Sequence, residues 1–234
     1  QPARWSLVNC TGIGWRAVLL AARGPDLGTA AVLIPVVVVM LLLAGLSLRT
    51  LLIAGVIMLA LMPLLWYALE DYQRARIEVF LNPGKDPYGE GWNYVQAAIT
   101  VGSGGFLGKG FLEGTQNLLG FLPRTVAPTD FIFSVVAEET GFLGCAFLYG
   151  LYLAVAGIGL RVALVARDKF GQLLAAGLTT LLFVHVLVNT AMVVGLLPIT
   201  GLPLPLLSYG GSFTIGTMMS LGLIQSVYVR RFRT

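Results

Sequence analysis

Four runs of this 234-residue chain carry no Asp, Glu, Lys or Arg: Leu27 to Leu48, Thr50 to Leu69, Thr140 to Leu160 and Phe170 to Val229. A bilayer span needs about 20 predominantly apolar residues, and each run reaches or exceeds that length. The last run is 60 residues long and has to hold two spans, because prolines and glycines between Gly195 and Gly211 interrupt it. With 57% hydrophobic and only 11% charged residues, the chain falls far from a soluble domain, in which roughly a quarter of residues are charged. A secreted disulfide scaffold, a coiled coil and a disordered tail are excluded. The net charge of +4 does not point to nucleic acid, because the basic residues border apolar runs. Cys10 and Cys145 read as two inert thiols.

The spans are expected near Gly28–Leu46, Leu51–Leu69, Phe131–Leu160, Leu173–Leu196 and Ser212–Val229, with a weaker segment near Ile13–Ala22. The fold class is therefore all-α, a polytopic transmembrane bundle forming one integral membrane domain over residues 1–234. Arg4, Arg16, Arg49, Arg161, Arg167, Lys169, Arg230, Arg231 and Arg233 fall on one side of these spans, which the positive-inside rule makes cytoplasmic. The opposite side receives Asp26, the 61 residues from Glu70 to Asp130 and the segment from Pro198 to Gly211. A loop that long usually carries function, so any chemistry is expected there, outside the cytoplasm.

Residues 102–120 of the loop contain seven glycines, in GSGGFLGKGFLEGTQNLLG. The Gly108-Lys109-Gly110 core is not a phosphate-binding loop: that pattern needs a Gly where Ser103 stands and a Ser or Thr where Gly110 stands. No nucleotide is expected. The stretch reads either as a flexible loop or as one that packs against a lipid-linked substrate.

The stretch FLPRTVAPTDFIFSVVAEETGFLG follows. Thr129 stands where a helix N-cap would, and Asp130 falls in the first helical turn, where the helix dipole favours a negative charge. An ionised Asp130 is expected to accept a proton, to bind a cation, or only to cap its helix. Glu138, about 12 Å further along such a helix, is too distant to pair with Asp130 as two glycosidase carboxylates do. Glu138 and Glu139 inside an apolar helix should face protein or a hydrated cavity. His185 and Asn189, four residues apart, share a helix face and read as partners in interhelical hydrogen bonds rather than metal ligands. The apolar, proline-rich segment from Leu196 to Ser212 points to a cavity wall, since irregular backbone at membrane depth survives only inside protein or beside water.

Several motifs, in order, resemble the SEDS family of cell-wall polymerases: PDLGT at the outer end of the first clear span, Arg76 to Pro83, Asp86-Pro87, Gln96, GSGGFLGKG, Gly114-Thr115-Gln116, Phe121-Leu122-Pro123, TDFIFSVVAEETGFLG and NTAMVVGLLPITGLPLPLLSYGGS. The Gly-Thr-Gln and Ala-Glu-Glu motifs are closer to the family's rod-shape branch than to its division branch. The resemblance implies a peptidoglycan glycosyltransferase that joins lipid II units on the outer face of the bacterial cytoplasmic membrane and works with a class B penicillin-binding protein. It implies Asp130 as catalytic residue, either a base or the holder of a divalent cation, Mg2+ or Mn2+. Arg76, Lys109 and Arg124 are candidates for the pyrophosphate, by charge and side of the membrane. Gln116, Asp26, Glu138 and Ser208 are further candidates for substrate contact. The family's usual Leu-Pro-Glu-x-His-Thr-Asp run is altered here, with Arg124 to Pro128 standing between Leu122-Pro123 and Thr129-Asp130. Family members have ten spans, so the chain is expected to be the C-terminal portion of such a protein. A lipid II transporter and a non-catalytic partner of a transpeptidase are the alternatives.

Overall fold

In the computed structural model the described residues are 27–122 and 127–231. The weak segment near Ile13–Ala22, Asp26 and Arg124 lie outside them. Among the described residues all regular structure is helical. The helices are α1 (Leu27–Leu43), α2 (Leu48–Ala68), α3 (Asp71–Leu81), α4 (Glu90–Ser103), the single turn α5 (Thr115–Leu118), α6 (Ile132–Val165), α7 (Lys169–Val193) and α8 (Gly211–Arg230). The expected spans fall on α1, α2, α6, α7 and α8. Three of them, α6, α7 and α8, are long and apolar enough to cross a membrane, while residues 28–43 and 48–64 form shorter apolar helices. The protein is an integral membrane protein.

Two compact units divide the chain. The first takes residues 1–74, 159–181 and 223–234, and the second residues 75–158 and 182–222. In the first, the side chain of Ser47 accepts the Thr50 N–H at 3.2 Å and starts α2, whose Leu52, Val56, Leu59 and Met62 are all exposed. That apolar exterior is the reverse of a soluble helix and is what contact with lipid requires.

The second unit holds the described candidate residues Arg76, Lys109, Gln116, Asp130, Glu138 and Ser208. Its core is a cluster of Ala97, Leu122, Ala127, Phe131, Phe133, Ala137, Val186, Met192, Val193 and Leu204. Within the outer loop, Asn82 closes a 3-10 turn over Pro83–Lys85 by accepting from the Gly84 N–H. Asp86 then accepts the Glu90 N–H at 2.8 Å, satisfying a donor at the start of α4 that Gly89 has no side chain to meet.

Candidate functional site

Three successive carbonyls ahead of α6 are taken by groups from other elements. Pro128 O accepts from Tyr209 N at 2.9 Å, Thr129 O accepts from the hydroxyl of Ser208, and Asp130 O accepts from Asn189 Nδ2 at 2.8 Å. In a helix already running at Asp130 these carbonyls would point along the axis to N–H groups four residues on. Turned outward, they cannot, so α6 begins at Ile132 and not, as expected, with Asp130 in its first turn. Thr129 and Asp130 belong to a turn that two buried side chains, Asn189 and Ser208, hold in place.

The same side chains tie down the irregular segment between α7 and α8. Asn189 Nδ2 also donates to Leu202 O at 2.7 Å, and Ser208 Oγ accepts from Leu204 N at 2.7 Å. Tyr94 Oη donates to Gly195 O and Tyr152 Oη to Pro205 O, each at 2.6 Å. Side chains thus supply the donors that a helix would have given these carbonyls, as irregular backbone in a membrane protein requires. Leu207 to Gly211 line a largely open apolar groove of about 590 Å³ with Pro128, Ile132, Thr214 and Ile215, where the expectation was a cavity wall.

Asp130 is half-buried. Burial pushes its carboxyl up from the ordinary value, while a hydrogen bond from the Thr129 side chain and the Arg76 charge pull it down. The helix starts too late for Asp130 to stand in its first turn as expected, and loss of solvent outweighs the other two effects. Gly201 adjoins the carboxylate, which lies 3.7 Å from where a Cβ would stand. Arg76, on α3, also pairs with Glu90 on α4 at 3.4 Å. Arg76 and Asp130 are therefore in one electrostatic neighbourhood, although 54 positions separate them.

Lys109, Gln116 and Glu138 form a second cluster. Glu138 is fully buried, and its Oε1 accepts from Lys109 Nζ at 2.7 Å and from Gln116 N at 2.9 Å. Lys109 Nζ donates also to Thr115 Oγ1 at 2.7 Å. Lys109 and Glu138, two candidates for substrate contact, hold one another, and Gln116 joins them through its backbone. Ser208 has its proton committed to Thr129.

Backbone bonds make the glycine loop part of this cluster. At Gly141, with φ 65° and ψ −164°, α6 leaves helical geometry. Phe142 N and Leu143 N, which would bond Glu138 O and Glu139 O, donate instead to Gly105 O and Phe106 O at 3.0 and 3.2 Å. The two freed carbonyls accept from Lys109 N and Gly110 N at 2.9 and 3.0 Å. Four loop-to-helix bonds replace two helical ones. The approach is so close that a Cβ on Gly108 would run into Glu139 O, and one on Gly141 into Gly108 N, which explains the glycines. Residues 105–110 thus dock on α6 as a hydrogen-bonded segment.

Sequence inspection missed the Tyr94 and Tyr152 contacts and the part Asn189 plays for Asp130. A polar residue inside an apolar helix was the signal available for Asn189. Nothing comparable marks a tyrosine.

Residues 1–232 match the family of cell cycle proteins that takes in FtsW, RodA and SpoVE. The peptidoglycan glycosyltransferase MrdB of Escherichia coli K12 is 46% identical over 214 residues, covering 91% of this chain and 57% of that protein. A probable peptidoglycan glycosyltransferase FtsW of Trichlorobacter lovleyi is 40% identical over 210 residues, 89% of this chain and 54% of its own. The chain thus spans little more than half the length of these relatives. Among solved structures, a chain from a peptidoglycan synthase complex that coordinates polymerization and crosslinking superposes with TM-score 0.80 at 34% identity, covering 99% of this chain and 64% of that one. The rod shape determining protein RodA of Thermus thermophilus follows, with TM-score 0.64, 30% identity and coverage of 98% and 58%.

Proposed function

The chain belongs to the FtsW, RodA and SpoVE family of cell cycle proteins, and from that premise we propose that it acts in a peptidoglycan glycosyltransferase, joining lipid II units on the outer face of the bacterial cytoplasmic membrane. The observation that carries this reading is Asp130: a half-buried carboxylate beside the Arg76 charge, on a turn that Asn189 and Ser208 clamp. Fixed geometry of this kind is what general-base catalysis needs.

In the reaction a sugar hydroxyl of one lipid II gives its proton to Asp130. Its oxygen bonds to the anomeric carbon of a second lipid II, and the bond from that carbon to the pyrophosphate oxygen breaks. Undecaprenyl pyrophosphate leaves with the electron pair, and the configuration inverts. Burial supports the role of base, since a raised pKa strengthens a carboxylate's hold on a proton. The Arg76 guanidinium suits the pyrophosphate.

Among the described residues no three His, Cys, Asp or Glu side chains gather as a metal site. A divalent cation would be held by Asp130 together with substrate phosphate oxygens, the manner usual for Mg2+, and would offset the leaving group's charge. The open apolar groove that Leu207–Gly211 line suits a lipid-linked substrate. The partner is a class B penicillin-binding protein, which crosslinks the strands; the solved chain that this one resembles comes from a peptidoglycan synthase complex in which polymerization and crosslinking are coordinated.

The test is polymerisation of purified lipid II in vesicles containing the protein, its class B penicillin-binding protein and Mg2+. Glycan strands are expected, with their loss in Asp130→Asn. Strands made equally well by that variant, or lipid II translocation without polymer, would overturn the reading.

A further inference from the structure

The outer loop has two chemically different parts. Residues 70–90 carry eight charged side chains, whereas residues 91–122 carry two, Lys109 and Glu113. Lys109 turns inward to Glu138. What the second part exposes is apolar: Phe106, Leu107, Phe111, Leu112, Leu118 and Leu119 are each more than 60% exposed. Apolar exposure on that scale marks a surface that meets lipid or another protein.

The depth of this surface follows from its backbone. Residues 105–110 are hydrogen-bonded to Glu138, Glu139, Phe142 and Leu143 of α6, and the Phe106 ring stacks on Phe142 at 5.7 Å between centroids. In α6 the charge-free run is Thr140 to Leu160, 21 residues, which at 1.5 Å per residue is about 30 Å, the thickness of the hydrocarbon layer. The loop is therefore attached where that layer ends. Phe142 itself is 62% exposed on the same run.

A second feature agrees. On α4 the side chains of Trp92, Val95 and Ile99 recur at helical spacing and are all exposed at 40–45%, while Gln96, Ala97 and Thr100 are buried. An exposed apolar stripe on a helix of this length suits the membrane interface.

We propose that residues 91–121 are an interfacial element, seated in the lipid leaflet at the N-terminal end of α6 with Phe106, Leu107, Phe111 and Leu112 among the acyl chains, and that only residues 70–90 form a loop in water. The surface bound is lipid. This rests on α6 as a membrane-crossing helix and not on the glycosyltransferase reading.

Spin labels test it, on cysteines introduced singly into the full protein with Cys10 and Cys145 changed to serine, in phosphatidylethanolamine and phosphatidylglycerol vesicles. Leu107→Cys and Phe111→Cys are compared with Phe147→Cys, 71% exposed on α6, and with Lys85→Cys on the charged part. Collisions with oxygen, relative to those with a water-soluble nickel chelate, should exceed the Lys85→Cys value by roughly threefold or more and approach that of Phe147→Cys, as immersion of an apolar face predicts. A ratio equal to that of Lys85→Cys overturns the proposal. So does a label wet in vesicles and shielded only when the penicillin-binding protein is added, which would make the occupant a protein. A readout without an introduced cysteine is quenching by acyl-chain-brominated lipid, taken as the difference between the protein and Trp92→Phe. Trp92 emission is expected to fall, and emission unaffected by bromine would again overturn the proposal.

Discussion

Asn189, fully buried on α7, holds the carbonyl of Asp130 at 2.8 Å and that of Leu202 at 2.7 Å with a single Nδ2. One amide fixes both the turn that bears the carboxylate and the irregular segment beside it. Asn189→Ala leaves two carbonyls without that donor, at about 1–3 kcal/mol for each left unsatisfied and buried. The expected outcome is a lowered unfolding temperature in detergent, together with a fall in polymerisation rate larger than any change in lipid II binding, because Asp130 loses its position and no substrate contact is removed.

The Lys109–Glu138 pair behaves differently from a surface ion pair. Glu138 has no exposed surface and Lys109 keeps 26% of its side chain exposed, so removing the lysine strands a buried charge at about 3–5 kcal/mol. Lys109→Met should destabilise the protein strongly, and Lys109→Met with Glu138→Gln should recover much of the loss. Thermal unfolding of the two variants checks this. A double variant no more stable than Lys109→Met alone would show that the charges are not coupled.

The pH dependence follows from Asp130. The fold raises its pKa by burial, so the stabilising contribution is complete below the unfolded pKa and is lost as pH rises through the folded one. Asp130→Asn is thus expected to unfold at a higher temperature than the parent at neutral pH, with the difference shrinking on acidification. In activity, the acid limb should lie above that of an ordinary carboxylate. Arg76→Gln, which removes a charge that lowers this pKa, should move the limb further up. A limb unmoved by that change would count against Asp130 as the titrating base.

Glycine substitutions separate contact from composition. Gly108→Ala places a methyl against the Glu139 carbonyl at a φ of 79° and should prevent the loop from docking, seen as loss of folded protein on size exclusion. Gly102→Ala, with nothing within 4 Å of the added carbon and a helical position in α4, should be neutral or stabilising by up to about 1 kcal/mol.

Asp130 was legible as the leading candidate from a TDF motif at an outer helix start, and the apolar wall at Leu207–Gly211 from prolines in an otherwise apolar run. Three features were not. The helix start, expected near Asp130, moves to Ile132 because residues 59 to 81 positions away take the carbonyls before it. The break at Gly141 lies inside a sequence that reads as one helix from Phe131 to Leu160, and only the arrival of Gly105 to Gly110 makes it stable. The pairing of Lys109 with Glu138 joins a residue assigned to substrate by its charge to one expected to face protein or a hydrated cavity.

The sequence alone determined where the long apolar helices lie, because the capacity to span a membrane depends on local composition and length. It also determined the family, through motifs whose order survives in the linear chain. Tertiary structure decided where helices start and break and which charges neutralise each other. Those outcomes depend on hydrogen-bond partners 29 to 81 positions apart, and a buried carbonyl or carboxylate takes whichever donor folding brings within 3 Å of it.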